Sequence, residues 1–154
     1  MLGVLKGLTA TLRTMARKPV TVQYPQVHKP LPERSRGFPV LLWDAEVEEP
    51  FCVGCHACER ACPQECISVI MKDNPAAAEG KSKRKKIVDR YVLDCGRCIR
   101  CGTCVEVCNF DAIAMNNTWS GHEMSRYSRE ELVMELDQLL AFSKTGQFTP
   151  WKSN

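Results

Sequence analysis

Between Cys52 and Cys108 one cysteine spacing is written twice, and it limits what this chain can fold around. The first copy is Cys52-x-x-Cys55-x-x-Cys58-x-x-x-Cys62 followed by Pro63, and the second is Cys98-x-x-Cys101-x-x-Cys104-x-x-x-Cys108. Thiolates are soft donors, and three of them at every third position of a tight loop can turn toward one corner-sharing cube of iron and sulfide. Each cube needs a fourth thiolate from elsewhere. A shift of 46 residues superposes the copies, placing Ile67 on Ile113 and Val69 on Met115. Each half therefore reads as a loop of cysteines, a short helix and a strand, with the apolar residues after the fourth cysteine packed on the clusters to exclude water.

Where this run occurs in two-cluster ferredoxins, its fourth cysteine ligates the other cluster. Applied here, Cys52, Cys55, Cys58 and Cys108 hold one [4Fe–4S] cluster, while Cys98, Cys101, Cys104 and Cys62 hold the second. Zinc is the competing metal, since paired C-x-x-C elements also make four-cysteine zinc sites. The triple spacing, the fixed fourth cysteine and Pro63 oppose it, and a zinc ribbon would leave four of the eight cysteines unexplained. The fold class expected is α+β: a ferredoxin-like two-[4Fe–4S] domain with a pseudo-twofold repeat, an N-terminal amphipathic helix with an extended arm, and a C-terminal helix. Three parts follow: residues 1–44, helix and proline-rich docking arm; 45–117, cluster domain; 118–154, connector and helix.

Two of the ten cysteines stand outside this scheme. Cys95 extends the rhythm backward, but a register of Cys95, Cys98 and Cys101 meets Val105 where a fourth cysteine should be. Cys66 aligns with Ala112, which predicts a small buried side chain. Both are read as structural. Asn109 stands where Pro63 stands in the first half and restores an amide near the sulfurs, a source of different potentials for the two clusters. Disulfides are disfavoured: Lys6 interrupts the opening apolar residues and no small-residue cleavage site follows, so a reducing compartment is expected.

Charge is distributed unevenly. Residues 1–36 carry seven Lys/Arg against Glu33 alone, which leaves 14 basic and 17 acidic residues in the remaining 118. Leu5, Leu8, Leu12 and Met15 fall on one face of a helix expected over residues 2–18, with Lys6, Arg13 and Arg17 beside it and Pro19 ending it. Such a helix suits a membrane surface or a packing partner. Nucleic acid is not expected, because the arm has neither a binding module nor an aromatic stacking series. Six of the nine prolines lie between Pro19 and Pro50, which favours an extended arm lying on a surface. Within it Val20–Tyr24 and Phe38–Trp43 are short strand or docking candidates, and Trp43 is a packing anchor.

Ser68–Lys72 and Lys86–Leu93 are strand-like, and the basic group Lys81, Lys83, Arg84, Lys85 and Lys86 between or beside them reads as a solvated loop. After Asn117 come Trp119, Gly121, His122 and Met124; His122 reads as a surface residue. Ser128 and Glu131 form a capping box for a helix whose apolar face is Leu132, Val133, Leu136, Leu139 and Leu140, stopped by Gly146. A Gly-rich dinucleotide fingerprint and a nucleophile–base pair are both lacking, so neither direct NAD binding nor substrate chemistry is expected of this chain.

Residues outside the cysteines carry a family resemblance. Leu8-Thr9-Ala10-Thr11-Leu12-Arg13, Pro19-Val20-Thr21-Val22-Gln23-Tyr24-Pro25, Arg34-Ser35-Arg36-Gly37, Cys55-His56-Ala57-Cys58-Glu59-Arg60-Ala61-Cys62-Pro63, Gly96-Arg97-Cys98-Ile99-Arg100-Cys101-Gly102 and Tyr127-Ser128-Arg129-Glu130-Glu131-Leu132 closely resemble the two-cluster, ferredoxin-like subunit I of respiratory complex I (NADH:quinone oxidoreductase). Asn109, Cys66 and Cys95 depart from that pattern. The resemblance implies a peripheral-arm subunit on the cytoplasmic side of the bacterial inner membrane. It would relay electrons from an upstream iron–sulfur subunit toward the terminal cluster and quinone held by neighbouring subunits, with residues 2–18 at the membrane surface or membrane arm. The alternatives are a ferredoxin-like subunit of a related membrane-bound hydrogenase, a free two-cluster ferredoxin, or a zinc-structured interaction module.

Overall fold

The computed structural model describes residues 2–24, 26–32, 35–117 and 128–146. Trp119, Gly121, His122, Met124 and Tyr127, singled out above, lie outside them. The backbone divides into two compact units, residues 1–30 and 31–154. In the first, α1 spans Leu2–Met15 and buries nothing; Leu5, Leu8, Leu12 and Met15 are between 63% and 82% exposed. The hydroxyls of Thr9, Thr11 and Thr14 donate back to the carbonyls of Leu5, Leu8 and Ala10, which satisfies these hydroxyls within the helix. The helix ends before the expected Lys18, because a residue preceding proline is driven out of helical backbone. Val20–Tyr24 holds one bend, at Thr21, and a turn, at Tyr24, in place of a strand. Among the described residues no helix is long and apolar enough to cross a membrane.

The second unit begins its regular structure with β1 (Phe38–Leu41), so the strand candidate read within the arm is a strand, and it belongs to the core. All four of its residues are buried. It pairs antiparallel with β6 (Ile113–Asn116), Phe38 opposite Asn116 and Leu41 opposite Ile113. Pro39 is tolerated because the sheet has two strands and each leaves one edge unpaired. The short strands β2 (Trp43–Asp44) and β3 (Glu49–Pro50) pair next. The repeat then appears as α2 (Ala57–Ala61) and β4 (Ile67–Asp73) in the first half, and α4 (Thr103–Glu106) and β6 in the second. Between the halves lie the four-residue turn of helix α3 (Pro75–Ala78) and β5 (Lys86–Asp94). β5 pairs with β4, with a register shift at Ile70/Met71.

The C-terminal helix starts later than the apolar spacing suggests. Glu130–Leu132 is a single 3₁₀ turn, Val133–Glu135 is strand β7, and α5 runs Leu136–Lys144. Ser128 and Glu131 do not cap it; the reciprocal capping box is Glu135 with Gln138. The physical reason lies in β5, whose free edge takes β7 as a partner, Leu93 opposite Met134, and covers backbone groups that solvent or another chain would otherwise meet. α5 then packs on β1 through buried Leu139 and Leu140 and the edge-to-face pair Phe38–Phe142, 5.1 Å between centroids. Gly146 ends it at φ +68°. Trp43 anchors the same end, with Lys144 Nζ 3.8 Å above its ring.

Arg84 corrects the reading of the basic run as solvated. Its guanidinium donates to Glu49 at 2.6 Å and Asp44 at 2.7 Å and lies 4.8 Å over Phe51. Glu49 is 5% exposed and also accepts from Asn74 Nδ2 and Ser82 Oγ. Burial pushes the Glu49 carboxyl up, but the bonds from Ser82, Asn74 and Arg84 outweigh it and hold it below its ordinary value. Arg84 likewise holds Asp44 low. Arg84→Ala strands a buried carboxylate and is expected to cost about 3 kcal/mol, whereas Lys81→Ala, at an exposed pair with Glu79, should cost under about 0.5 kcal/mol. Urea-unfolding midpoints compare them, and equal effects would contradict this account.

Candidate iron–sulfur centres

Both cysteine loops are pinned to the sheets and bent by the same backbone device. The first is tied by Phe51 N–H to Leu42 O and by Val88 N–H to Cys52 O, both 3.1 Å. Left-handed residues flank its second cysteine, Gly54 at φ +75° and His56 at +61°, and a third, Glu65 at +47°, precedes the strand. The second loop repeats them at the 46-residue offset with Arg100 at +57°, Gly102 at +84° and Asp111 at +48°. Alternating handedness of this kind makes a concave nest of amides suited to an anionic group. Gly54 is also a steric requirement: a Cβ there would lie 2.7 Å from that of Met71, at the β4 bulge, whereas at Gly102 the nearest atom, on Arg36, would be 3.6 Å away.

The loops line two cavities. One is lined by Cys52, Cys55, Cys58 and Cys108, together with Val69 and Ile113. The other is lined by Cys98, Cys101, Cys104 and Cys62, with Ile67, Met115 and a fifth thiol, Cys66. The walls exchange between halves as the thiols do: Ile67 and Val69 share a face of β4 yet serve different cavities, and their repeat partners Ile113 and Met115 serve the opposite ones. Among the described residues no group of three or more His, Cys, Asp or Glu side chains is placed to hold a single metal ion. Four thiols spread around a cavity fit a polynuclear cluster better than zinc, which draws its sulfurs to about 2.3 Å from one centre.

Burial dominates the thiols' protonation. It pushes Cys52 and Cys104 up to about 12 and raises Cys58 despite hydrogen bonds from Tyr91 and the Glu59 amide. Burial also pushes Cys62 up, but the amides of Cys66, Gln64 and Glu65 with the Cys66 thiol bring it below its ordinary value. Thr103, by hydroxyl and amide, lowers Cys101. Thiols held protonated by an apolar wall must release protons on meeting metal, which couples cluster assembly to folding. The amide that reaches Cys108 Sγ, at 3.4 Å, is that of Ala112.

Comparison with known proteins now separates the families that share such a site. Residues 51–112 match the family model described as a 4Fe-4S dicluster domain. NADH-quinone oxidoreductase subunit I 2 of Geobacter metallireducens is 36% identical over 141 residues, covering 91% of this chain and 98% of that protein. The chain belongs to the subunit I family of NADH-quinone oxidoreductases. Members from Streptomyces coelicolor and Symbiobacterium thermophilum are 39% and 35% identical over 89% and 90% of this chain, which spans 66% and 54% of their lengths. A solved structure titled as the membrane-bound sulfane sulfur reductase, an archaeal respiratory membrane complex, shares the fold at a TM-score of 0.50 and 24% identity, over 93% of this chain and 70% of that one.

Within this subunit I chain the extra cysteines part company. Cys66, buried like its repeat partner Ala112, lies in a cavity wall with its Sγ 3.4 Å from that of Cys62. Cys95 lines neither cavity; burial pushes its thiol up to about 12. Sequence reasoning missed three groups: Tyr91, whose hydroxyl is 3.6 Å from Cys58 Sγ, Thr103, 3.3 Å from Cys101 Sγ, and Arg36, whose guanidinium meets the Cys101 carbonyl. Thr103 left a signal, as a hydroxyl two residues beyond a cysteine, and Arg36 stood in a family motif with no role assigned to it. Gly102→Ala is expected to cost about 1 kcal/mol for its left-handed backbone, and Gly54→Ala about 2–4 kcal/mol because Met71 must also move. Urea midpoints followed by the visible absorption of the bound clusters test this; equal losses would show that the Met71 contact is unimportant.

Proposed function

We propose that this chain is the electron-relay subunit of an NADH-quinone oxidoreductase, a non-catalytic member that passes electrons through two [4Fe–4S] clusters. Cys52, Cys55, Cys58 and Cys108 hold one cluster, and Cys98, Cys101, Cys104 and Cys62 the other. The observation that carries this reading is the pair of cavities, each lined by three thiols of one run and the fourth thiol of the other. Bound there, such clusters supply reversible one-electron chemistry. The chain's own residues set position and potential. Thiolates fix the two sites side by side, with α2 packed on α4 and Cys58 close enough to Cys104 to influence it electrostatically. Ile67, Val69, Ile113 and Met115 line the walls and keep water away.

The electrons come from an upstream iron–sulfur subunit and go on to subunits holding the terminal cluster and quinone, in a peripheral arm on the cytoplasmic face of the bacterial inner membrane. α1 supports that placement by presenting its leucines to the outside beside Lys6 and Arg13, the pattern of a helix that lies in a membrane interface or on a membrane arm.

Crossed ligation makes a specific forecast. Cys108→Ala should alter the EPR signal of the cluster bound by the first run and Cys62→Ala that of the second, whereas Cys95→Ala keeps about eight irons and eight sulfides per chain. If each substitution disturbs only its own run's cluster, the crossed set is wrong. Purification of a tagged chain in mild detergent is expected to bring down a flavin- and NADH-binding chain together with membrane-embedded subunits. Migration alone at its own mass would instead mark a free ferredoxin.

A further inference from the structure

Tyr91 is the largest fully buried side chain of the described structure, 1% exposed. It sits on β5 opposite Val69, a residue of the Cys52-side cavity wall. Its hydroxyl lies 3.6 Å from Cys58 Sγ, a contact distance for a hydroxyl on the large sulfur atom. Cys58 and Cys104 are equivalent positions of the repeat, and of the two it is Cys58 that the Tyr91 hydroxyl meets. A phenol hydroxyl can donate, while a ligating Cys58 thiolate can only accept, so the contact runs from Tyr91 to the sulfur.

We propose that Tyr91 is a positioning residue for one cluster alone: its hydroxyl donates to Cys58 Sγ and raises the reduction potential of the cluster held by Cys52, Cys55, Cys58 and Cys108. This rests on the ligand assignment above. The physical basis is that reduction adds one electron, and no proton, to a group whose sulfurs carry much of the negative charge. A donor to such a sulfur stabilises the reduced form more than the oxidised one. The second site has its own donors in Thr103 and Cys66, but their repeat counterparts are Ala57 and Ala112. Tyr91 lies between the halves and has no counterpart at all. Each site is thus tuned by different side chains, although the ligand loops are copies.

Redox titration of the full chain with both clusters assembled, using dithionite as reductant and EPR as readout, tests the proposal with Tyr91→Phe, which keeps the ring and its packing. The potential of one cluster is expected to fall by up to about tenfold in its reduction equilibrium, 59 mV for one electron, while the other stays fixed and iron and sulfide remain complete. Unchanged potentials with full cluster content, or an equal movement of both, would overturn it. Cys108→Ala in the same titration identifies which signal belongs to the Cys52 site. If Tyr91→Phe moves only the other signal, the tyrosine assignment fails while the ligand assignment stands. If the variant does not retain both clusters, replacing the three tyrosines with 3-fluorotyrosine decides, because a more acidic phenol is a stronger donor. The same single potential must then rise, and no movement would overturn the proposal.

Discussion

The structure depends on one geometric exchange: each cysteine loop brings three thiols to its cavity, and a further thiol lining that cavity comes from the other loop. Neither half can complete a four-thiol site alone, so the two must be assembled on a common frame. The β1–β6 pair and the β4–β5 hairpin supply that frame, and α2 against α4 sets the distance between the sites. Exchange of Ile67, Val69, Ile113 and Met115 between cavities follows from the same pseudo-twofold arrangement. Buried thiols then resist deprotonation until metal arrives, which makes cluster assembly and the final packing one process.

Against this symmetry the differences between the halves stand out. Cys66 faces Cys62 where Ala112 offers only its amide to Cys108, and Thr103 reaches Cys101 where Ala57 has no hydroxyl. The repeat governs the ligands and the left-handed backbone that turns them inward, but it does not govern the second layer of donors. The proposed relay would need two similar sites at a fixed separation with separately adjustable potentials, and a duplicated loop with unduplicated surroundings is suited to both demands.

Charge is also used in two ways within one run of basic residues. Lys81 remains at the surface with Glu79, whereas Arg84 is drawn inward by Asp44 and Glu49 and fastens the connection between the halves onto the β2–β3 strands. Arginine suits that place because its planar fork serves two carboxylates while its face covers Phe51.

The cysteine spacing by itself determined the chemistry, since only thiolates at that interval can meet a four-iron cube, and the 46-residue repeat determined that there are two such loops. Strands β4 and β5 and the packing role of Trp43 were legible because alternation and apolar bulk act locally. Tertiary structure decided the rest. Phe38–Leu41 became a core strand because β6 was present to pair with it, and Val133–Glu135 left the helical pattern because β5 had an open edge. Arg84 was drawn inward by carboxylates 35 and 40 residues away, and Tyr91 met Cys58 across 33 residues. The loop positions of the thiols are set by short-range spacing and can be read from the chain; the contacts that hold those thiols are long-range and exist only once the halves have met.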